Sequence, residues 1–182
     1  LYAMHKCYLL LIGYLTFLPF AGHSQAGSKL AFIENGGQWQ DKVDYRVSVT
    51  NGTVYLEGNT FIHTRFSGDD FEAHHEVKHE DQLAALDFEI RGHAWKTAFI
   101  GANDQLTTSG IEQRSEYYNF FQGNDPSKWA GGVNAFNSVY YNDLYDGVDM
   151  MVYSQNGAFK YDLVVDANVS TDVIAWGYEG LD

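Results

Sequence analysis

Short runs rich in Val, Ile, Tyr, Phe and Thr recur along most of the chain, with apolar residues at alternate positions and glycine-centred turns between them. Alternation of period two is the signature of half-buried strands. In YRVSVTNGTVYLE (45–57), Asn51-Gly52 offers the two φ > 0 positions of a type I′ hairpin turn. Such a turn sets Thr50 opposite Thr53, Val49 opposite Val54 and Val47 opposite Leu56. Val47, Val49, Val54 and Leu56 then share one face. In VDMMVYSQNGAFKYDLVV (148–165), Asn156-Gly157 sets Val152 opposite Tyr161, Met150 opposite Leu163 and Val148 opposite Val165. Further strands are expected at Thr60–Phe66, Leu86–Arg91, His93–Ile100, Tyr117–Phe121, Ala135–Tyr141 and Val173–Tyr178. Gly92 reads as a bulge or bend. Asp125 followed by Pro126 reads as a cap that starts one helical turn over Pro126–Ala130. Short strands with one apolar face must cover that face with a second layer. The expected fold is therefore an antiparallel β-sandwich of short strands and hairpins, with an open barrel as the alternative. The chain stops just after the Ile174/Trp176/Tyr178 alternation, without a polar tail, which reads as an incomplete piece of a larger domain.

The N-terminal 26 residues break this pattern. Met4, His5 and Lys6 form a short basic start, Cys7 to Gly22 an uncharged and mostly apolar run, and Ser24-Gln25-Ala26 a small-residue site. Together they read as a secretory leader cleaved between Ala26 and Gly27, with Leu1–Ala3 upstream of the true start. The apolar run is shorter than the ~20 residues needed to span a bilayer. Residues 27–182 then form one β-rich domain, secreted or held at a bacterial cell surface, with no membrane contact after cleavage. A domain of that size can bury roughly 70% of its unfolded surface and needs no covalent staples. Cys7, the only cysteine, leaves with the leader.

Charge narrows the partners. The full chain carries 11 Lys and Arg against 24 Asp and Glu, for a net −13. Only Lys6 belongs to the leader, so the mature domain has 10 against 24, a net −14. So acidic a domain repels nucleic acid and anionic membrane surfaces.

Candidate chemistry is sparse. His75-Glu76-Val77-Lys78-His79 matches HExxH, which on a helix sets two histidines one turn apart around Zn²⁺, with Glu76 as general base. Against this reading stand the charged Lys78 at an inner position, Glu80 and Asp81 directly after, and the lack of a third ligand at the extended spacing. Loose metal binding by His74, His75 and His79 in an exposed loop is the milder reading. Asp143, Asp146 and Asp149 are spaced unlike an EF-hand loop, and Asp146-Gly147 is more simply a turn. No GxSxG elbow, phosphate-binding glycine loop or mature cysteine nucleophile is present. Trp39, Trp95 and Trp129 suit core packing or, if exposed, stacking on sugar rings.

The segments AFIENGGQWQDKVDYR (31–46), HAWKTAFIGAN (93–103), YYNFFQGNDPSKWAGGV (117–133) and YNDLYDGVDMMVYSQNGAFKYDLVV (141–165) resemble an uncharacterised N-terminal domain of large exported bacterial proteins. The resemblance implies association with gliding motility and type IX secretion, downstream domains of the same polypeptide as partners, and no catalytic residues. The function expected is a non-catalytic exported module for adhesion or display, contacting extracellular glycans or surface proteins, without cofactor. A carbohydrate-binding module is the alternative, and a zinc metallohydrolase built on residues 75–79 the second alternative.

Overall fold

The computed structural model describes residues 29–70, 72–74, 89–121 and 123–181. The expected leader and its expected Ala26–Gly27 cleavage site lie outside the described residues, as do His75, Glu76 and His79. Ten antiparallel strands follow in order: β1 (Phe32–Glu34), β2 (Tyr45–Val49), β3 (Gly52–Glu57), β4 (Thr60–Phe66), β5 (Gly92–Phe99), β6 (Thr107–Phe120), β7 (Ala130–Tyr145), β8 (Val148–Gln155), β9 (Ala158–Val165) and β10 (Trp176–Glu179). They form one curled, open sheet ordered β10-β5-β4-β3-β2-β1-β7-β8-β9, with β6 paired to β7. The expected antiparallel β architecture is present, and its two layers are arms of a single hydrogen-bonded sheet.

The long strand β7 makes this possible. Along one edge it pairs with β6. Along the other it pairs first with β1, through Ala135 and Phe136, and then with β8, from Ser138 onward. It also changes the side it buries. Val133 and Ala135 pack with Ile33 in a small outer cluster, whereas Val139 and Tyr141 enter the main core. The change falls at Asn137, whose amide donates to Glu112 of β6 at 3.1 Å, and Glu112 itself is left-handed at φ 56. A second irregularity lies at Asp143, φ 53, where the pairing of β7 with β8 shifts register.

The main core lies inside the curl. Phe61 of β4 is its hub, with edge-to-face contacts to Phe99 (5.2 Å), Phe159 (5.6 Å), Tyr161 (5.9 Å) and Tyr141 (6.1 Å). These contacts join the arm that holds β4 and β5 to the arm that holds β9. Such aromatic pairs add about 0.5–1.5 kcal/mol each beyond their buried area.

The hairpin at Asn156-Gly157 has the expected register, with Val148 opposite Val165 and Val152 opposite Tyr161. Both turn residues are left-handed, at φ 53 and φ 75. The hairpin at Asn51 keeps the expected face but shifts by two residues. Val47 pairs with Val54, and Val49 closes on Gly52. Only Asn51 is left-handed there, at φ 56. Gly52 is drawn into the sheet by β4, where it pairs with Arg65, and a Cβ at this position would meet the Thr64 carbonyl oxygen at 2.0 Å. The glycine is required by the neighbouring strand rather than by the turn.

Other expectations are adjusted in a similar way. Thr60–Phe66 is β4 as read, while all but Phe121 of the expected Tyr117–Phe121, and all of Ala135–Tyr141, are pieces of the longer β6 and β7. Residues 89–91, the described end of the expected Leu86–Arg91 strand, are not in the sheet. Instead, Arg91 is tied by its own N–H and its guanidinium to Asp70. Gly92 opens β5 with the Phe66 ring where a Cβ would lie, at 2.9 Å. A 3-10 turn at Thr171–Val173, capped by Ser170, delays the last strand to Trp176. A second 3-10 turn at Pro126–Lys128 is capped by Asp125 as expected. No helix among the described residues is long and apolar enough to cross a membrane.

Candidate functional site

The outer face of β2, β3 and β4 carries a cleft of about 690 Å³. Cross-strand pairing sets Arg46 beside Tyr55 and Tyr55 beside Ile62, one row across that face. The loop from Asn35 to Asp44 forms the opposite wall, and two amides hold it rigid. The Asn35 carbonyl oxygen accepts from the Gly37 and Trp39 N–H groups at 3.1 and 3.3 Å. Its amide nitrogen donates to the Gln40 and Val43 carbonyls, both at 2.9 Å. Gln38 accepts from Gly36 N–H at 2.7 Å and donates to the Glu34 carbonyl at 2.8 Å. Gly37, at φ 102, supplies the reversal that no L side chain tolerates well.

This loop fixes Trp39. Its ring meets Phe120 edge-on at 5.3 Å and Tyr55 at 6.5 Å. The Arg46 guanidinium lies 5.7 Å from the Trp39 ring and 6.0 Å from the Tyr55 ring, while its buried Nε has no hydrogen-bond partner. Cation–π attraction therefore holds Arg46 between the two rings. Trp39, Val43, Tyr55 and Ile62 give the cleft an apolar lining. Glu57, bridged to Lys42 at 3.1 Å, and Lys128 from the 3-10 turn give it polar groups. This combination of aromatic rings and a few charged groups suits a ring-shaped ligand with an apolar face and a hydroxyl edge.

None of the three candidate tryptophans enters the main core. Trp39 is half-buried and lines the cleft. Trp95 is half-buried and stacks parallel to His63 at 4.9 Å. Trp129 is 45% exposed beside Phe121, and its indole N–H donates to the Gly123 carbonyl. The contributions of Glu57 and Lys128 were not legible in advance, because they depend on which strand and which turn meet across the cleft. The outward position of Tyr55 did follow from the alternation of β3.

The metal candidates fare differently. His74 is helical, with residues 72 and 73, and the HExxH run 75–79 falls outside the described residues. Asp143, Asp146 and Asp149 all lie around the β7–β8 turn, but the protein's own donors occupy them. Asp149 accepts from Asp143 N–H at 2.8 Å and from the Tyr140 hydroxyl, and this bond raises the Tyr140 pKa above its ordinary value. Asp146 accepts from Asn103 at 3.3 Å, and Asp143 from Asn142 at 2.7 Å. Among the described residues, no three His, Cys, Asp or Glu side chains gather as a metal site.

No curated protein and no solved structure matches this chain. A family model does match, over residues 32–182, from the first residue of β1 to the last residue of the chain. On that match the chain belongs to the DUF7948 family, a domain of unknown function.

Proposed function

We propose that this domain is a non-catalytic binding module of an exported bacterial surface protein, used for adhesion or display, and that its Trp39 cleft takes a neutral sugar ring of an extracellular glycan. One observation carries the reading: Trp39 and Tyr55, held by the Asn35 and Gln38 amides and by Arg46, line a cleft whose other groups include Glu57 and Lys128. The apolar face of a sugar packs on aromatic carbon, while its hydroxyls pair with carboxylate and ammonium groups. Preorganised side chains lose little conformational entropy on binding. The leader read at residues 1–26, and the resemblance to N-terminal domains linked to gliding motility and type IX secretion, support an exported setting with downstream domains of the same polypeptide as partners.

Binding to an array of neutral oligosaccharides, followed by titration of tryptophan fluorescence, tests the cleft. Trp39→Phe and Lys128→Ala should each weaken the selected ligand several-fold with an unchanged circular dichroism spectrum. No binding at millimolar sugar, or equal binding by both variants, would refute the assignment. N-terminal sequencing of the exported protein should give Gly27, and a retained Met4 would count against export through a cleaved leader.

A further inference from the structure

The inner face of β4 and β5 changes character along its length. Phe61 faces Thr97 deep in the curl, His63 faces Trp95 next, and Arg65 faces His93 at the mouth. Directly opposite residues share a face, so these six form one wall from core to solvent. His63 Nε2 lies 3.2 Å from Thr97 Oγ1, and its ring is parallel to Trp95 within 4°. His93 also stacks with Trp95, at 6.0 Å. Two clefts, of about 470 and 380 Å³, open at this mouth and share Arg65 and Trp95. Val49, Val54 and Phe159 wall the larger one, and Thr50 and Asn156 edge it.

The charge here is opposite to that of the molecule. The chain has 24 acidic residues against 11 basic, yet among the described residues no carboxylate lines either cleft. Arg91, in the smaller cleft, is already paired with Asp70 at 2.8 and 2.9 Å. The Arg65 guanidinium has no carboxylate partner among the described residues. A planar guanidinium is built to take a carboxylate through two parallel N–H bonds.

We infer that this mouth is a second, separate binding site, for an acidic sugar: Arg65 takes the ring carboxylate, and the ring seats between Trp95 and the Val49–Phe159 wall. A bare anion would leave the apolar wall wet. A neutral sugar would leave Arg65 unpaired. A ring that carries both a carboxylate and hydroxyls uses Arg65, the wall, Thr50 and Asn156 together. The Trp39 cleft takes a different ligand, because Asp41 and Glu57 there stand beside Lys42 and Lys128, and no arginine lines it to take a carboxylate in a fork.

The test is isothermal titration of the full chain with an oligogalacturonate, with the neutral oligosaccharide of the same linkage, and with acetate. The oligogalacturonate should bind, lose affinity as salt rises and lose at least tenfold in Arg65→Ala, with Arg65→Lys between the two. Trp39→Phe should leave this binding unchanged, which separates the mouth from the neutral-sugar cleft. Arg65 is exposed, so neither substitution endangers the fold. Failure of the oligogalacturonate to bind, equal binding by Arg65→Ala, or equal affinity for the neutral oligosaccharide or acetate would each overturn the inference.

Discussion

Two of the three Asn-Gly pairs in this chain make β-hairpins, and they do different work. At Asn156-Gly157 the turn leads into β9, an edge strand, and both residues are left-handed, so the dipeptide alone fixes the hairpin. At Asn51-Gly52 the chain leads into β3, which is paired on both sides, and Gly52 belongs to the ladder. One glycine is present for its φ. The other is present because the β4 backbone lies where its side chain would be. A turn signal thus has its plain meaning at a sheet edge, and a third strand can overrule it in the middle of a sheet.

The largest predicted effect separates these roles. Gly52→Ala places a Cβ 2.0 Å from the Thr64 carbonyl and should cost about 3 kcal/mol or more in a urea melt, because backbone cannot rotate away. A loss below about 1 kcal/mol would mean that β4 does not pack on Gly52 as described. Gly157→Ala should cost about 1 kcal/mol, the strain of an L residue at φ 75, and Gly157→Asn less. Equal costs for Gly52→Ala and Gly157→Ala would erase the distinction. Asn51→Gly and Asn156→Gly keep the left-handed position open and should each stay within about 0.5 kcal/mol.

The smallest predicted effect depends on pH. His63 lines the cleft that reaches the Asn156-Gly157 tip, and burial holds its pKa below the ordinary 6.5. The unfolded chain takes up the proton more readily, so the stability due to neutral His63 is complete above pH 6.5. It is lost progressively as pH falls through the lowered folded value. Thermal melts between pH 7 and 5 should show this slope in the wild type and a shallower one in His63→Gln. An unchanged slope would remove His63 from the explanation.

How much could be read from the chain follows the same division between local and distant causes. β4, β8, β9 and the Asn156 hairpin came directly from alternation and turn chemistry. β1 is only three residues long, too short for alternation to register, and its partners lie at 45–47 and 135–136. β6 hid its length behind Gly110, which lies under the Phe136 ring, and behind left-handed Glu112. The ENGGQWQ segment received no structural assignment from its sequence, and only the fold shows it as a loop wrapped by its own Asn35 and Gln38 amides. None of the three clefts was visible, because each joins residues distant in the chain, such as Arg65 with Trp95 or Trp39 with Tyr55. His74, His75 and His79 held attention because they are close in sequence, whereas the histidines joined by the described structure are 63 and 93.

The place of β7 also bears on how the chain acquires its structure in time. β1 needs Phe136, more than a hundred residues downstream, and β10 returns to pair with β5, whose residues 96–99 lie far upstream of 176–179. A chain emerging from the ribosome therefore holds Phe32 and Ile33 without one of their neighbours until β7 has been made. Contacts so distant in sequence make folding slow, because loops must close before burial rewards them. Hairpins such as β2–β3 form early and locally, but the layer that buries Phe61 waits for Phe159 and Tyr161. The topology postpones the final collapse, so the nascent chain stays extensible until its last strands have been made.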